Sequence, residues 1–113
     1  MVNNKEKQII VGGGGIGGLA TALGLAKVGK SVKVLEQALE FGEVGAGIQL
    51  AANATNILQN LGLMDKISEV SVFPKRLVLM DAFSGKELSA LDIGDVYQER
   101  YGAPYIVLHR SDL

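Results

Sequence analysis

The sequence contains no cysteine and no tryptophan. The first absence excludes disulfides, thiolate chemistry and cysteine-based metal sites. Only one histidine, His109, is present, and a lone imidazole cannot build a metal site. It reads more readily as a structural histidine than as a catalyst. An excess of one charge sign is lacking as well, since 11 basic residues face 12 acidic ones, for a formal net charge of −1. No basic patch stands out, so neither nucleic acid nor an anionic membrane surface is an expected partner. Long runs of large apolar side chains are also missing. Ile9 to Ala26 is uncharged and follows Lys5 and Lys7, which superficially resembles a signal peptide. Seven of its residues are glycine, a poor helix former in a segment interior, so neither a leader nor a membrane span is expected. A cytoplasmic location is the default expectation.

What is present fits one soluble globular domain with one core. The chain has 113 residues, 48% of them hydrophobic, and a mean hydropathy of +0.26. Gln8 to Val11 is short, apolar and β-branched, which predicts a buried strand. Glycines follow at once. Leu19 to Val28 then places Leu19, Leu23 and Ala26 on one helical stripe, and Gly29 stops that helix. Ser31 to Leu35 reads as a second strand. Strand, glycine turn, helix and strand in this order form a βαβ unit, whose strands are expected to be parallel and whose crossover is right-handed. Gln8 to Val11 is expected as a central strand flanked by Ser31 to Leu35, within a three-layer-like α/β core.

Beyond this unit, Phe41 to Gly47 reads as a glycine-punctuated loop. A helix is expected over Asn53 to Leu61, with Ile57, Leu58 and Leu61 as its apolar face and Gly62 at its end. Leu63 to Val70 suggests a short helical turn. Arg76 to Asp81 and Glu87 to Leu91 read as strands joined by a tight turn at Ser84-Gly85. Tyr105 to Leu108 reads as a last strand, followed by Ser111 as the cap of a helix that has no room to form. An ending at a helix start suggests a fragment. Such a fragment is expected to expose apolar surface on helix Asn53 to Leu61 and on the last strand, and therefore to self-associate.

The chemistry is concentrated in Gly13-Gly14-Gly15-Ile16-Gly17-Gly18, a G-x-G-x-x-G between a strand and a helix. In such a turn the first glycine bends the chain, the second lets a pyrophosphate approach the backbone, and the third lets helix and strand pack closely. The helix start near Ile16 offers unpaired N–H groups and a positive dipole end to phosphates. Gly12, Gly14 and Gly17 fit the same pattern, so the register is open. The later register is preferred because it leaves Gly12 as the last strand residue. Glu36 ends the second strand 18 residues after Gly18, close to the roughly 20 at which an acid accepts hydrogen bonds from the ribose diol. Its charge would repel a 2′-phosphate. The plainer readings are a flexible turn and a solvated strand end, but strand, glycines and acid together favour a dinucleotide. Asn53-Ala54-Thr55 matches a glycosylation sequon, yet reads better as a helix N-terminus. Arg110, after a strand, either reaches a phosphate or sits on the surface.

The stretches Ile9-Ile10-Val11-Gly12 through Ala22 and Val34-Leu35-Glu36-Gln37 resemble the opening of flavin-dependent aromatic hydroxylases. Phe41-Gly42-Glu43-Val44-Gly45-Ala46-Gly47-Ile48-Gln49-Leu50, Asn53-Ala54 and Leu61-Gly62-Leu63 are similar to the salicylate and 3-hydroxybenzoate hydroxylase group. So are Tyr101-Gly102-Ala103-Pro104-Tyr105 and His109-Arg110-Ser111-Asp112-Leu113. The resemblance covers nearly the whole chain and implies the N-terminal part of a class A flavoprotein monooxygenase, with a Rossmann-like βαβ FAD/NAD(P)-binding fold and a parallel central sheet. In such enzymes NADH or NADPH reduces FAD, which then activates oxygen to hydroxylate a small phenolic or benzoate-type substrate.

By matching positions, the resemblance implies that Gly13, Gly15 and Gly18 contact the pyrophosphate and Glu36 the adenosine ribose, with Gln37 also at the cofactor. Gly45, Ala46 and Gly47 would lie near the ribityl and flavin side, and Arg110 near the central phosphates. Gly45 stands where some relatives, such as the 4-hydroxybenzoate hydroxylases, carry an arginine, a departure that bears on that phosphate contact. The family is longer and has a second FAD motif, G-D-A, and a substrate domain. Gly94-Asp95-Val96 lies too early to be that motif. No catalytic residue and no metal ligand is therefore assigned, and the 113 residues alone are expected to be inactive. Two other readings remain: an NAD-dependent dehydrogenase domain, and a non-catalytic fragment that binds a partner or nothing.

Overall fold

The computed structural model describes residues 7–41 and 45–113. They fall in two compact units, Met1–Gly42 and Glu43–Leu113. The first is the βαβ unit. Strand β1 (Ile9–Gly12) pairs in parallel with β2 (Val32–Leu35), Val11 opposite Val34, and helix α1 (Ile16–Lys27) joins them. Gly29 stops α1 as expected. Its φ is 77°, which a side chain would strain. That geometry lets the Gly29 N–H donate to the Ala26 carbonyl at 2.9 Å and the Lys30 N–H to the Leu25 carbonyl at 3.0 Å.

Two expectations for this unit are corrected. Among the described residues β1 has one neighbour, β2, so it is not a central strand there. The chain turns into the glycine segment after β2, and the later strands pair antiparallel with one another. The stripe Leu19, Leu23 and Ala26 is also exposed. The half-buried face of α1 is instead Gly18, Ala22 and Leu25, at spacings of four and three. Small residues face the sheet because helix and strand approach most closely at Gly18.

The second unit opens with β3 (Gly47–Leu50), α2 (Ala52–Asn60) and α3 (Met64–Glu69). The hairpin β4 (Arg76–Met80) and β5 (Glu87–Asp92) follows, then α4 (Asp95–Tyr101), β6 (Ile106–His109) and a 3₁₀ turn, Arg110–Asp112. Strands β3 and β6 pair antiparallel with Ile48 opposite Leu108 and Leu50 opposite Ile106. With period-2 alternation, these four side chains point to one face. There Ile106, Leu108 and Ile67 of α3 form the core, with Leu58, Leu63 and Leu113 packed against it.

Of the expected loop Phe41 to Gly47, Gly42, Glu43 and Val44 lie outside the described residues, while Gly47 already begins β3. Ile57 does not belong to the buried face of α2, since it is 56% exposed. The face runs through Ala52, Thr55 and Leu58, because the Thr55 hydroxyl donates to the Pro104 carbonyl at 2.8 Å and can be buried without loss. Helix α4 was not foreseen. Tyr97 fixes it: its hydroxyl accepts from the Ala52 N–H at 3.0 Å, and its ring meets Tyr105 edge-on at 6.0 Å. Gly94-Asp95-Val96 is the entry to this helix.

Three further differences have local causes. The hairpin turn is wider than Ser84-Gly85, because the Asp81 carboxylate gathers the N–H groups of Phe83 and Ser84 and the Ser84 hydroxyl. These bonds, the Ser84 hydroxyl first, hold its pKa below the ordinary aspartate value. Ser111 lies inside the 3₁₀ turn, whose cap is His109: Nδ1 of its ring accepts from the Ser111 N–H. The last strand is not an exposed apolar surface either, since Ile106 and Leu108 are buried under α2 and α3. Open apolar residues include Leu77, Leu79 and Leu91 on the hairpin, Ile57 on α2 and Leu23 on α1. Among the described residues no helix is long and apolar enough to cross a membrane.

Candidate dinucleotide site

The turn from β1 to α1 carries the glycine cluster. Gly13 continues the β1 edge by donating its N–H to the Leu35 carbonyl at 2.7 Å, then bends at a φ of 102° that only glycine adopts freely. Gly15 is the residue before α1, and no side chain caps the helix there. The N–H groups of its first turn therefore have no side-chain acceptor of their own. Among the described residues no atom lies within 4 Å of where a Gly15 side chain would begin, so the helix start is open with respect to them. At Gly18 the opposite holds, because a Cβ would overlap the Gly13 carbonyl oxygen and come into contact with the Val11 side chain. At Gly17 a Cβ would meet nothing within 4 Å. Close helix–strand packing thus falls at Gly18, the third glycine of the later register, and Gly12 ends β1.

Crowding at Gly18 sets a measurable expectation. Gly18→Ala should force α1 away from β1 and cost about 1–3 kcal/mol of stability, the usual range for overpacking. A denaturant titration showing an unchanged midpoint would contradict this close approach.

Beside the turn lies an open concavity of about 450 Å³ lined by Gly13, Leu35, Glu36 and Gln37. The Glu36 carboxylate is held from two sides, with Oε1 accepting from the Ala38 N–H at 2.9 Å and Oε2 from the Gly14 N–H at 2.5 Å. The Ala38 bond foremost, then the Gly14 bond, lowers the pKa of Glu36 below its ordinary value, against a smaller opposing effect of desolvation. The group is a fixed anion. Open helix N–H groups suit a pyrophosphate, and a charged acceptor at the strand end suits a ribose diol. The residues therefore fit the ADP half of a dinucleotide.

The remaining site residues meet in the second unit. The β3–β6 ladder sets Gly47 opposite His109, and the Arg110 N–H donates to the Ala46 carbonyl at 3.4 Å. Gly45, with a φ of 130°, has Arg110 against it: a Cβ there would stand 3.3 Å from Arg110 Cδ. The fold thus gathers Gly13, Gly15, Gly18, Glu36 and Gln37 in one unit and Gly45, Ala46, Gly47 and Arg110 in the other. Sequence reasoning missed Leu35 as a lining residue and Gly14 as the donor to Glu36. The run of consecutive glycines was the available signal for Gly14. Among the described residues no group of three or more His, Asp or Glu side chains could hold a metal ion.

No protein-family model matches the chain. It is 45% identical over 111 residues to the 3-hydroxybenzoate 6-hydroxylase of Polaromonas naphthalenivorans, a match covering 98% of this chain and 28% of that protein. The 3-hydroxybenzoate 6-hydroxylase of Klebsiella oxytoca is 44% identical over 109 residues, covering 96% of this chain and 28% of that one. Among solved structures, Klebsiella pneumoniae HpxO complexed with FAD and uric acid superposes with a TM-score of 0.82 at 28% identity. That match covers 96% of this chain and 27% of HpxO. The chain thus spans about 28% of the length of these curated relatives. Along nearly its whole length this chain is homologous to the flavin-dependent aromatic hydroxylases.

Proposed function

We propose that these 113 residues hold the ADP half of FAD in a flavin-dependent monooxygenase that hydroxylates a small phenolic or benzoate-type substrate with NADH or NADPH and oxygen. The observation that carries this reading is the fixed Glu36 carboxylate beside a helix start left open by Gly15. Gly13, Gly15 and Gly18 serve the pyrophosphate, while Glu36 and Gln37 serve the adenosine end. Gly45, Ala46, Gly47 and Arg110 serve the ribityl side and the central phosphates. Bound FAD supplies the redox and oxygen-activating chemistry, and the protein supplies orientation and charge. The second FAD motif and the substrate-binding part of such an enzyme belong to segments outside these residues. The cytoplasm is the compartment that fits a nicotinamide-dependent hydroxylase.

A nicotinamide dehydrogenase is disfavoured because β2 leads into antiparallel pairing instead of another βαβ repeat. Purification of the full-length protein with a yellow chromophore, released on denaturation as FAD, is the expected result, along with NADH or NADPH oxidation stimulated by 3-hydroxybenzoate. A colourless protein that binds nicotinamide dinucleotide instead would reverse the assignment. The open apolar side chains of the hairpin favour self-association of the 113 residues taken alone. Light scattering should then show species larger than a monomer at high concentration, and a clean monomer would count against it.

A further inference from the structure

Gly14 occupies a position that the G-x-G-x-x-G pattern leaves free, yet it is the buried member of the cluster. Its φ is not among the positive values found at Gly13, Gly29 and Gly45, so backbone conformation does not demand glycine there. Crowding does. A Cβ on Gly14 would stand 3.1 Å from Glu36 Oε2, 3.2 Å from Glu36 Cβ and 3.2 Å from Phe41 Cε1. The same residue donates its N–H to Glu36 Oε2 at 2.5 Å.

We propose that Gly14 is the positioning residue for Glu36, its N–H fixing one carboxylate oxygen and its missing side chain making room for that carboxylate against the turn. Each carboxylate oxygen has two acceptor sites. Gly14 takes one on Oε2 and Ala38 takes one on Oε1, and the Gln37 N–H lies close to the carboxylate as well. The acceptor capacity left on a fixed plate suits the hydroxyls of a vicinal diol. Fixing the plate before the ligand arrives removes the ordering cost that a mobile glutamate would add on binding. This inference rests on the ADP-binding reading above and extends it to a residue outside the three-glycine fingerprint.

A double-mutant cycle on FAD affinity, read by flavin fluorescence in the protein, tests it. With Glu36 intact, Gly14→Val should weaken FAD binding by about tenfold or more, the effect of one charge-assisted bond mispositioned. On a Glu36→Ala background the same substitution should change affinity by no more than about twofold, the limit of additivity for uncoupled sites. Equal losses on both backgrounds would show that Gly14 acts through packing alone and would overturn the proposal, as would no loss with Glu36 intact. Should thermal melts show Gly14→Val unfolded, Gly14→Ala carries the same cycle, with a smaller loss of the same sign expected. Failure of the wild-type protein to bind FAD would overturn the functional reading, and this inference with it.

Discussion

Glu36→Ala is expected to weaken FAD binding roughly ten- to 150-fold, the range set by hydrogen bonds to a charged acceptor. The carboxylate is already charged and held by the Ala38 and Gly14 N–H groups, so its loss removes a prepared acceptor. Glu36→Gln keeps the shape and one acceptor and should cost less. In the full-length enzyme, turnover at saturating FAD should hardly change, because this acid serves the adenosine end, far from the reacting ring. The acid dependence follows from the lowered pKa. Stability contributed by the charged form is complete above the ordinary glutamate value and is lost as pH falls through the lowered one. Fluorescence titration of the apo-protein, followed by turnover with excess FAD, checks both halves. Unchanged affinity in Glu36→Ala would make the acid a mere strand end.

Ile106→Ala should destabilise the protein by about 2–5 kcal/mol, the range for truncating a large core side chain. Ile106 has 0% exposure and stands opposite Leu50, within the cluster of Ile67 and Leu108. The cavity would form in β6, the strand that leads directly into Arg110. A secondary loss of FAD affinity is therefore expected, smaller than that of Glu36→Ala. Urea unfolding reads the first effect, and a shift below 1 kcal/mol would mean that the site collapses freely.

Much of the fold was legible because its signals are local. The apolar β-branched runs marked β1 and β2, and Gly29 and Gly62 marked helix ends. Helix α4 escaped notice because Asp95-Val96-Tyr97-Gln98-Glu99-Arg100-Tyr101 lacks apolar periodicity; two tyrosines carry its packing. Gly94 and Gly102, which bracket it, were the available clues. Strand β3 was hidden by the glycines before it, and the buried Thr55 by its polarity. The carbonyls of Pro104 and Ala51 that face its hydroxyl explain that burial, and no sequence pattern reveals the first. The glycines and Glu36 were readable from spacing. What spacing could not reveal is that Glu36 is tied to Gly14, a contact across 22 residues.

The central claim is that the first unit recognises the ADP half of the cofactor, and competition measures this most directly. Apo-protein titrated with FAD in the presence of ADP should show ADP displacing the flavin, while FMN, which lacks the adenosine and one of the two phosphates, should bind at least about tenfold more weakly than FAD. If FMN binds as tightly as FAD and ADP leaves FAD binding untouched, the βαβ unit is not the cofactor's anchor.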